Sequence, residues 1–367
     1  MLGISVYPYK EKEQETLDYI TLAAKYGFGR LFTNLLNIDE ESKDQILATM
    51  KKTILHARSL GMEVILDVNP AVFQQLGASY KDLTFFKEMG ATGIRLDSAF
   101  DGITETFMTV DDSGLDIEIN ISNDTGYLEN VYSCKPNKRR IIGCHNFYPQ
   151  RFTGLDYDYF MKCSRKYKAL GLRTAAFIHS PSADHGPHPY SDGLCTLEMH
   201  RDLPIDVQAK HLIAIGLIDD IIIANAYASE AELHALSELN MNQIELSVTF
   251  AEGTTALEKE IVLENQHYNR GDLNSYSLRS TDVRMTYSDK SIPPHDTAES
   301  LEYGDITIGN NDFSQYKAEL NIVKSTMPNT KHQKNVVGKV TKDNEILIPY
   351  IESWSKFRFK EAKKGDI

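Results

Sequence analysis

The chain has no apolar run approaching the roughly 18–20 residues that span a bilayer. Its opening Met1-Leu2-Gly3-Ile4-Ser5-Val6 lacks the charged start and long apolar core of a secretory leader. A membrane span is excluded, and a cytoplasmic location is the expectation. Positive charge is short as well: 39 Lys and Arg stand against 52 Asp and Glu, a formal net charge of −13. Nucleic acids and anionic membranes both require a cationic face, so neither is expected as a partner, and only a local basic pocket is left open. Cysteine is scarce. Cys134, Cys144, Cys163 and Cys195 show no CxxC spacing and no secreted-domain regularity, which excludes a disulfide framework and a thiolate metal site. Cys144, next to His145, reads as a buried small hydrophobe rather than a nucleophile. HxH and HExxH spacings are missing, and there is no repeat beyond the βα unit.

What is present is enough for a large core. The 367 residues are 41% hydrophobic and 25% charged, which suits one barrel and a smaller domain. Short apolar runs such as Ile4-Ser5-Val6, Val64-Ile65-Leu66, Ile117-Glu118-Ile119, Ile141-Ile142 and Ile221-Ile222-Ile223 read as buried parallel strands. Further strands are expected at 30–36, 94–97 and 173–179. Segments of helical period lie between them, near 13–26, 41–60, 82–89, 103–109, 126–134, 156–170, 204–215 and 230–239. Eight βα units predict an α/β fold, an N-terminal (β/α)8 TIM-type barrel over residues 1–239. The rhythm then changes. β-rich segments at 243–249, 275–286, 304–309, 317–324, 336–340 and 345–350 predict a second, β-sheet domain over 240–359, with a charged, frayed tail at 360–367.

Polar side chains at the carboxyl ends of the barrel strands mark the expected site. Alternation sends Asp116, Glu118, Asn120 and Ser122 inward on the fifth strand, Arg95 and Asp97 on the fourth, and Asp67 and Asn69 on the third. An Arg95–carboxylate pair alone would be structural neutralisation, but it leaves two further carboxylates without a partner. Cleavage of a glycosidic bond needs two carboxyl groups, one protonated and one not, and crowding of like charges raises one pKa to supply the acid. Glu118 is the expected general acid, Asp97 its partner and Asp67 the reserve. Tyr7, Asn69, Arg95, Asn120, His145, Asn146, His179, Glu198 and Asn225 are expected substrate contacts. The long loop after the seventh strand holds His185-Gly186-Pro187-His188 and Leu197-Glu198-Met199-His200-Arg201, and reads as a lid or as a solvated turn capped by Thr196. A competing metal reading would use Asp67, Asp97, Glu118, His145 and His179; the expectation is no metal and no cofactor. In the β domain, Arg279 and Arg284 suit phosphate or carboxylate oxygens.

Several of these segments together resemble the bacterial 6-phospho-N-acetylmuramidases: Gly3-Ile4-Ser5-Val6-Tyr7, Gly93-Ile94-Arg95-Leu96-Asp97, His145-Asn146-Phe147-Tyr148-Pro149 with Thr153-Gly154-Leu155, Leu197-Glu198-Met199-His200-Arg201 and Asp219-Asp220-Ile221-Ile222-Ile223-Ala224-Asn225-Ala226. The resemblance runs over the whole chain and implies a cyclophilin-like β domain after the barrel. It also implies a cytoplasmic exo-hydrolase that cuts 6-phospho-N-acetylmuramic acid from its β-1,4 link to N-acetylglucosamine in cell-wall recycling. The partner would be a small phosphorylated disaccharide delivered by a sugar phosphotransferase uptake system. Two other classes use the same barrel mouth: a metal-dependent sugar-phosphate isomerase or aldolase, and a non-catalytic phosphosugar sensor.

Overall fold

Strands that are apolar on both faces, each followed by a helix with one apolar stripe, can bury themselves only by pairing in parallel under a layer of helices. The computed structural model describes residues 1–8, 12–35, 43–76, 78–187 and 192–362. Leu36, the start of the second expected helix, His188 and the last five residues of the tail lie outside the described residues. Strands β1 (Leu2–Ser5), β2 (Arg30–Asn34), β3 (Glu63–Val68), β4 (Gly93–Leu96), β5 (Asp116–Asn120), β6 (Ile141–Cys144), β7 (Arg173–Ile178) and β8 (Asp220–Ile223) form a closed parallel barrel. β1 pairs with β8 to complete it. The expected (β/α)8 architecture is therefore present.

The helices of the barrel are α1 (Glu13–Lys25), α2 (Lys43–Ser59), α3 (Pro70–Leu76), α4 (Thr84–Glu88), α5 (Ile103–Thr109), α6 (Tyr127–Ser133), α7 (Tyr157–Lys168), α8 (Ile205–Ile215) and α9 (Glu230–Ser237). Periodicity sets their inner faces. α7 buries Phe160, Ser164 and Tyr167, and α2 buries Met50, Thr53, Ile54 and Ala57. Asp156 starts α7 by accepting from the Asp158 and Tyr159 amides, and Ser229 with Glu232 forms a capping box on α9. α3 was not expected from the sequence. Asn69 begins it by accepting from the Val72 amide at 3.0 Å, with Pro70 at the first helical position.

Side chains inside the barrel lie in layers. Near the strand starts, Arg30 donates to Asp220 Oδ2 at 2.5 Å and to Glu118 Oε2, and all three side chains are essentially sealed from solvent. Arg173 reinforces Asp220 at 2.7 Å. An apolar layer follows, with Phe32, Cys144, Ala175, Phe177 and Ile222 in one cluster and the Phe32 and Phe177 rings edge to face at 5.1 Å. Burial pushes the Cys144 thiol well up, and the nearby Glu118 charge adds to it, so Cys144 is a protonated space-filler.

The described residues divide into two compact units, Met1–Leu212 with Gly216–Glu238, and Ile213–Ile215 with Leu239–Ile367. The second unit holds β9 (Ile244–Phe250), α10 (Ala256–Leu263), β10 (His267–Tyr268), β11 (Ser277–Ser280), α11 (Asp282–Tyr287), β12 (Ser300–Leu301), β13 (Asp305–Gly309), β14 (Leu320–Val323), β15 (Met327–Pro328), β16 (Lys334–Val340) and β17 (Lys356–Glu361). Its main sheet runs β10-β17-β9-β16-β13-β14-β11, over a core that includes Leu246, Ile306, Ile308, Leu320, Ile322 and Phe357. Two sequence expectations are corrected here. Residues 345–350 belong to a 3-10 helix, Lys342–Tyr350, because Pro349 has no amide to give a sheet ladder. Residues 275–286 split into β11 and α11, since the ladder with β14 ends at Ser280.

Two stability predictions follow from this packing. Burial holds His211 and His267 down to about 4 and His145 to about 3, and also lowers His200. Unfolding frees these imidazoles to take up protons below about pH 6.5, so stability should fall from there toward pH 4. Asp67, raised to about 6, acts in the opposite direction, as do Asp116 and His295, both also raised, but the imidazoles held low are more numerous. Denaturant midpoints measured from pH 7 to 4 should decline; a flat profile would contradict neutral buried imidazoles. Second, Arg30→Met strands two buried carboxylates and should cost about 3–5 kcal/mol, read as a lowered midpoint of the barrel transition.

Candidate active site at the barrel mouth

Strands β3, β4 and β5 bring three charged side chains side by side, because Asp67, Arg95 and Glu118 are directly paired across the parallel ladders. Paired residues in a sheet project from the same face. Asn34 of β2 is paired to Asp67 on the other side, and the sequence reading had not singled it out. Arg95 organises the group. Its Nη1 donates to Asp67 Oδ1 at 2.8 Å and lies 3.6 Å from Asp97 Oδ1, while its Nη2 donates to Asn146 Oδ1. Arg95 and Asp67 are almost sealed, whereas the Asp97 side chain is 44% exposed.

The electrostatics of Asp67 are those of an acid. Burial raises its pKa, Arg95 opposes this, and the charges of Asp97 and Glu118 raise it again, for a net position of about 6. A carboxyl with that affinity holds a proton at mildly acidic pH and gives it up near neutrality. Glu118, the expected acid, is in a different setting. It has no solvent exposure, and Oε2 takes the Arg30 guanidinium inside the barrel. The inward direction read from alternation is right, but Arg30 had not been singled out. A charged residue opening a strand reads as a flank, and only its alternation with Phe32 marks it as inward. Asp116, on the same face as Glu118, lies at the other end of β5 near Arg140 and Glu63, where its pKa is raised chiefly by burial. It is not part of the mouth.

Other expected contacts have partners that define their work. His145 is corrected most clearly. It lies just after β6 on the helix side, stacks on Phe160 of α7 at 4.4 Å, and shares hydrogen bonds with Ser164 at 2.9 Å and Ser122 at 3.3 Å. Asn225 ties the loop after β7 to β8, accepting from the Ser180 amide and donating to the Ser180 and Ala183 carbonyls. Glu198 accepts from the Phe152 and Gly154 amides, both at 2.8 Å, and from Arg201 through two further bonds of 2.7 Å. These donors hold its carboxyl down at about 2. Gly154 is required there, since a Cβ would come within 2.7 Å of Glu198 Oε2. Thr196 is buried and bridges the Phe177 amide and the Asn146 carbonyl, so this stretch is a stitched loop rather than a solvated turn.

Tyr7 donates to the Ala224 carbonyl at 2.6 Å and is buried. Asn120 accepts from the Ser122 amide at 2.8 Å. His179 is bracketed by Gln208, which binds both its amide and its carbonyl, and its ring faces Gly193; burial and then Arg201 lower its pKa. Arg279 and Arg284 lie in the second unit on one carboxylate, Glu319. Among the described residues, no group of three or more His, Cys, Asp or Glu is gathered as a metal site, and no helix is long and apolar enough to cross a membrane.

Residues 2–238 match the family model for the 6-phospho-N-acetylmuramidase N-terminal region, and residues 244–360 match the model for its C-terminal region. A crystal structure of an uncharacterized B. cereus protein is similar at 50% identity and TM-score 0.90, over 98% of this chain and 99% of that one. A conserved Enterococcus faecalis protein with an unknown function shares the fold at 24% identity and TM-score 0.73, over 100% of this chain and 98% of that one. A comparison with curated proteins finds no match. Two family models that together cover the two units leave one conclusion: the chain belongs to the 6-phospho-N-acetylmuramidase family.

Proposed function

We propose that the chain is a cytoplasmic glycoside hydrolase that releases 6-phospho-N-acetylmuramic acid from its β-1,4 link to N-acetylglucosamine, in the recycling of cell-wall fragments. The observation that carries this reading is the Asp67–Arg95–Asp97 group, in which one guanidinium gathers a proton-holding carboxyl and a solvent-open one. Asp67 is assigned as the general acid. Its proton passes to the glycosidic oxygen as the bond breaks, and the carboxylate that forms is received by Arg95 at 2.8 Å. Asp97 faces the positive charge that develops on the sugar.

The shared guanidinium keeps Asp97 beside Asp67, and the attack on the sugar carbon is assigned to a water activated by Asp97, to Asp97 itself or to the substrate's own acetamido group. Glu118 is assigned a positioning role, since its charge acts on Asp67 and Arg95 from inside the barrel. Asn69, Asn120, Asn146, Tyr7 and His179 are proposed to shape the pocket around the sugar.

The direct test is hydrolysis of the phosphorylated disaccharide beside its unphosphorylated form, with and without EDTA. Release of N-acetylglucosamine from the phosphorylated sugar alone, unaffected by chelator, is expected; no release, or loss with EDTA, points to a sensor or a metal enzyme. Asp67→Asn and Asp97→Asn should each lower kcat by about 100- to 10,000-fold. Wild-type kcat should fall above about pH 6 as Asp67 loses its proton, and Asp67→Asn should abolish that limb. A folded Glu118→Gln without turnover, beside an active Asp67→Asn, would return the acid role to Glu118.

A further inference from the structure

The amino-end face of the barrel, opposite the mouth, carries a cleft that no step of the proposed reaction uses. Its volume is about 590 Å³, and its lining includes Glu63, Gly114, Asp116, Asn137, Arg139 and Arg140. That volume falls among small-molecule sites, which span about 300–1,000 Å³. A smaller cleft of about 210 Å³ shares Asp116 and Arg139 with it and reaches Arg173 at the start of β7. The Glu63 wall is firmly held. Glu63 pairs with Arg173 at 2.8 Å, Arg173 with Asp220 at 2.7 Å, and Asp220 with Arg30 at 2.5 Å, so the ion network of the barrel interior surfaces here.

Three other charges in the cleft are not engaged in this way. Asp116 is half-buried, and its carboxylate makes no hydrogen bond or ion pair among the described residues; nor do the guanidiniums of Arg139 and Arg140. Yet Ile117 is paired with Ile141, which sets Asp116 and Arg140, one residue earlier on each side, next to each other at the rim. Arg140 is near enough to draw the Asp116 pKa down, but burial outweighs it and the carboxyl stands raised. The Arg140 guanidinium lies instead against Gly114, where a Cβ would come 3.2 Å from Nη2 and 3.3 Å from Nη1. Gly114 has a φ of +78°, so its conformation and this contact both call for glycine. Asn137 shapes the basic turn that follows: its Oδ1 accepts from the Arg139 amide at 3.3 Å, and its own amide donates to Thr109 Oγ1 at 2.9 Å.

A rim built for stability alone would close Asp116 on Arg140, because a half-buried carboxylate and guanidinium gain by pairing. Held apart, they line one cavity with an acceptor on one side and two planar donors on the other. A simple anion would be repelled by Asp116, and a simple cation by the arginines. A ligand carrying both signs satisfies both sides, since an ammonium offers N–H donors to the carboxylate and a carboxylate fits the guanidinium fork.

We propose that this face of the barrel is a second ligand site, which takes a free α-amino acid with its carboxylate on Arg139 and Arg140 and its ammonium on Asp116. The cleft leaves room beyond these groups for a side chain. The assignment stands independently of the hydrolysis proposed above.

Calorimetry on the full chain at low salt tests the site, with L-alanine, L-glutamate, L-lysine and L-phenylalanine as probes. Saturable binding of at least one is expected. Its analogues without the amino or the carboxyl group, propionate and ethylamine in the case of alanine, should bind about tenfold more weakly or worse. Asp116→Asn and Arg140→Met should each weaken the amino acid by about tenfold or more, and Arg139→Met, at an exposed side chain, severalfold. None of these residues belongs to the mouth, so hydrolysis by the variants without amino acid should stay at the wild-type rate. No saturable binding of any probe overturns the site, as does unchanged binding in both Asp116→Asn and Arg139→Met. Equal binding of an amino acid and its deaminated analogue overturns the zwitterion assignment. Loss of hydrolysis in a folded Asp116→Asn overturns a site separate from the reaction, whereas a wild type that binds an amino acid and hydrolyses nothing removes the glycosidase reading and leaves this site.

Discussion

A single guanidinium enclosed by the barrel constrains what its interior can be. Arg30 has no solvent, and its two carboxylate partners come from β5 and β8, on other sides of the ring. Each charge is tolerable only while the others stay in place. That requirement fixes the relative position of three strands more strictly than the apolar layer above them can, because Phe32, Cys144, Ala175 and Phe177 form a cluster without directional bonds. The mouth inherits this rigidity. Glu118 is paired in the ladder with Arg95, so a strand held from below presents its next polar neighbour in a defined place.

The architecture was legible because its signals are local. Apolar runs of strand length, helical periods between them and the change of style after Asn240 each need only a few neighbouring residues to be read. The direction of Asp67, Arg95 and Glu118 was legible for the same reason, since alternation is a rule of period two. What could not be read was the far end of each side chain. Nothing near Glu118 in sequence announces Arg30, 88 residues away, and nothing near Glu198 announces the amides of Phe152 and Gly154. His145 is instructive: it follows Cys144 by one residue, and one residue is enough to turn it from the barrel interior to the helix layer. In the second unit, segments 275–286 and 345–350 were rich in β-formers, and tertiary packing decided otherwise.

Family membership and geometry inform each other without being interchangeable. The family models cover both units and supply the kind of chemistry, while the barrel supplies the residues that can perform it. A fold of this kind hosts many reactions, and its function is carried by the few groups at the strand ends. Here those groups are acids sharing one guanidinium, and the second unit inverts the arrangement, with two arginines sharing one acid.

The grip of Asn146 on Arg95 has a further consequence. The guanidinium that restrains the proton affinity of Asp67 is held at its other nitrogen by a residue of the loop after β6, and that loop is stitched through Thr196, Glu198 and Arg201 to the segment after β7. Asn146 and Asp67 are thus fastened to two nitrogens of one guanidinium, so the loop and the acid it borders hang from a single support.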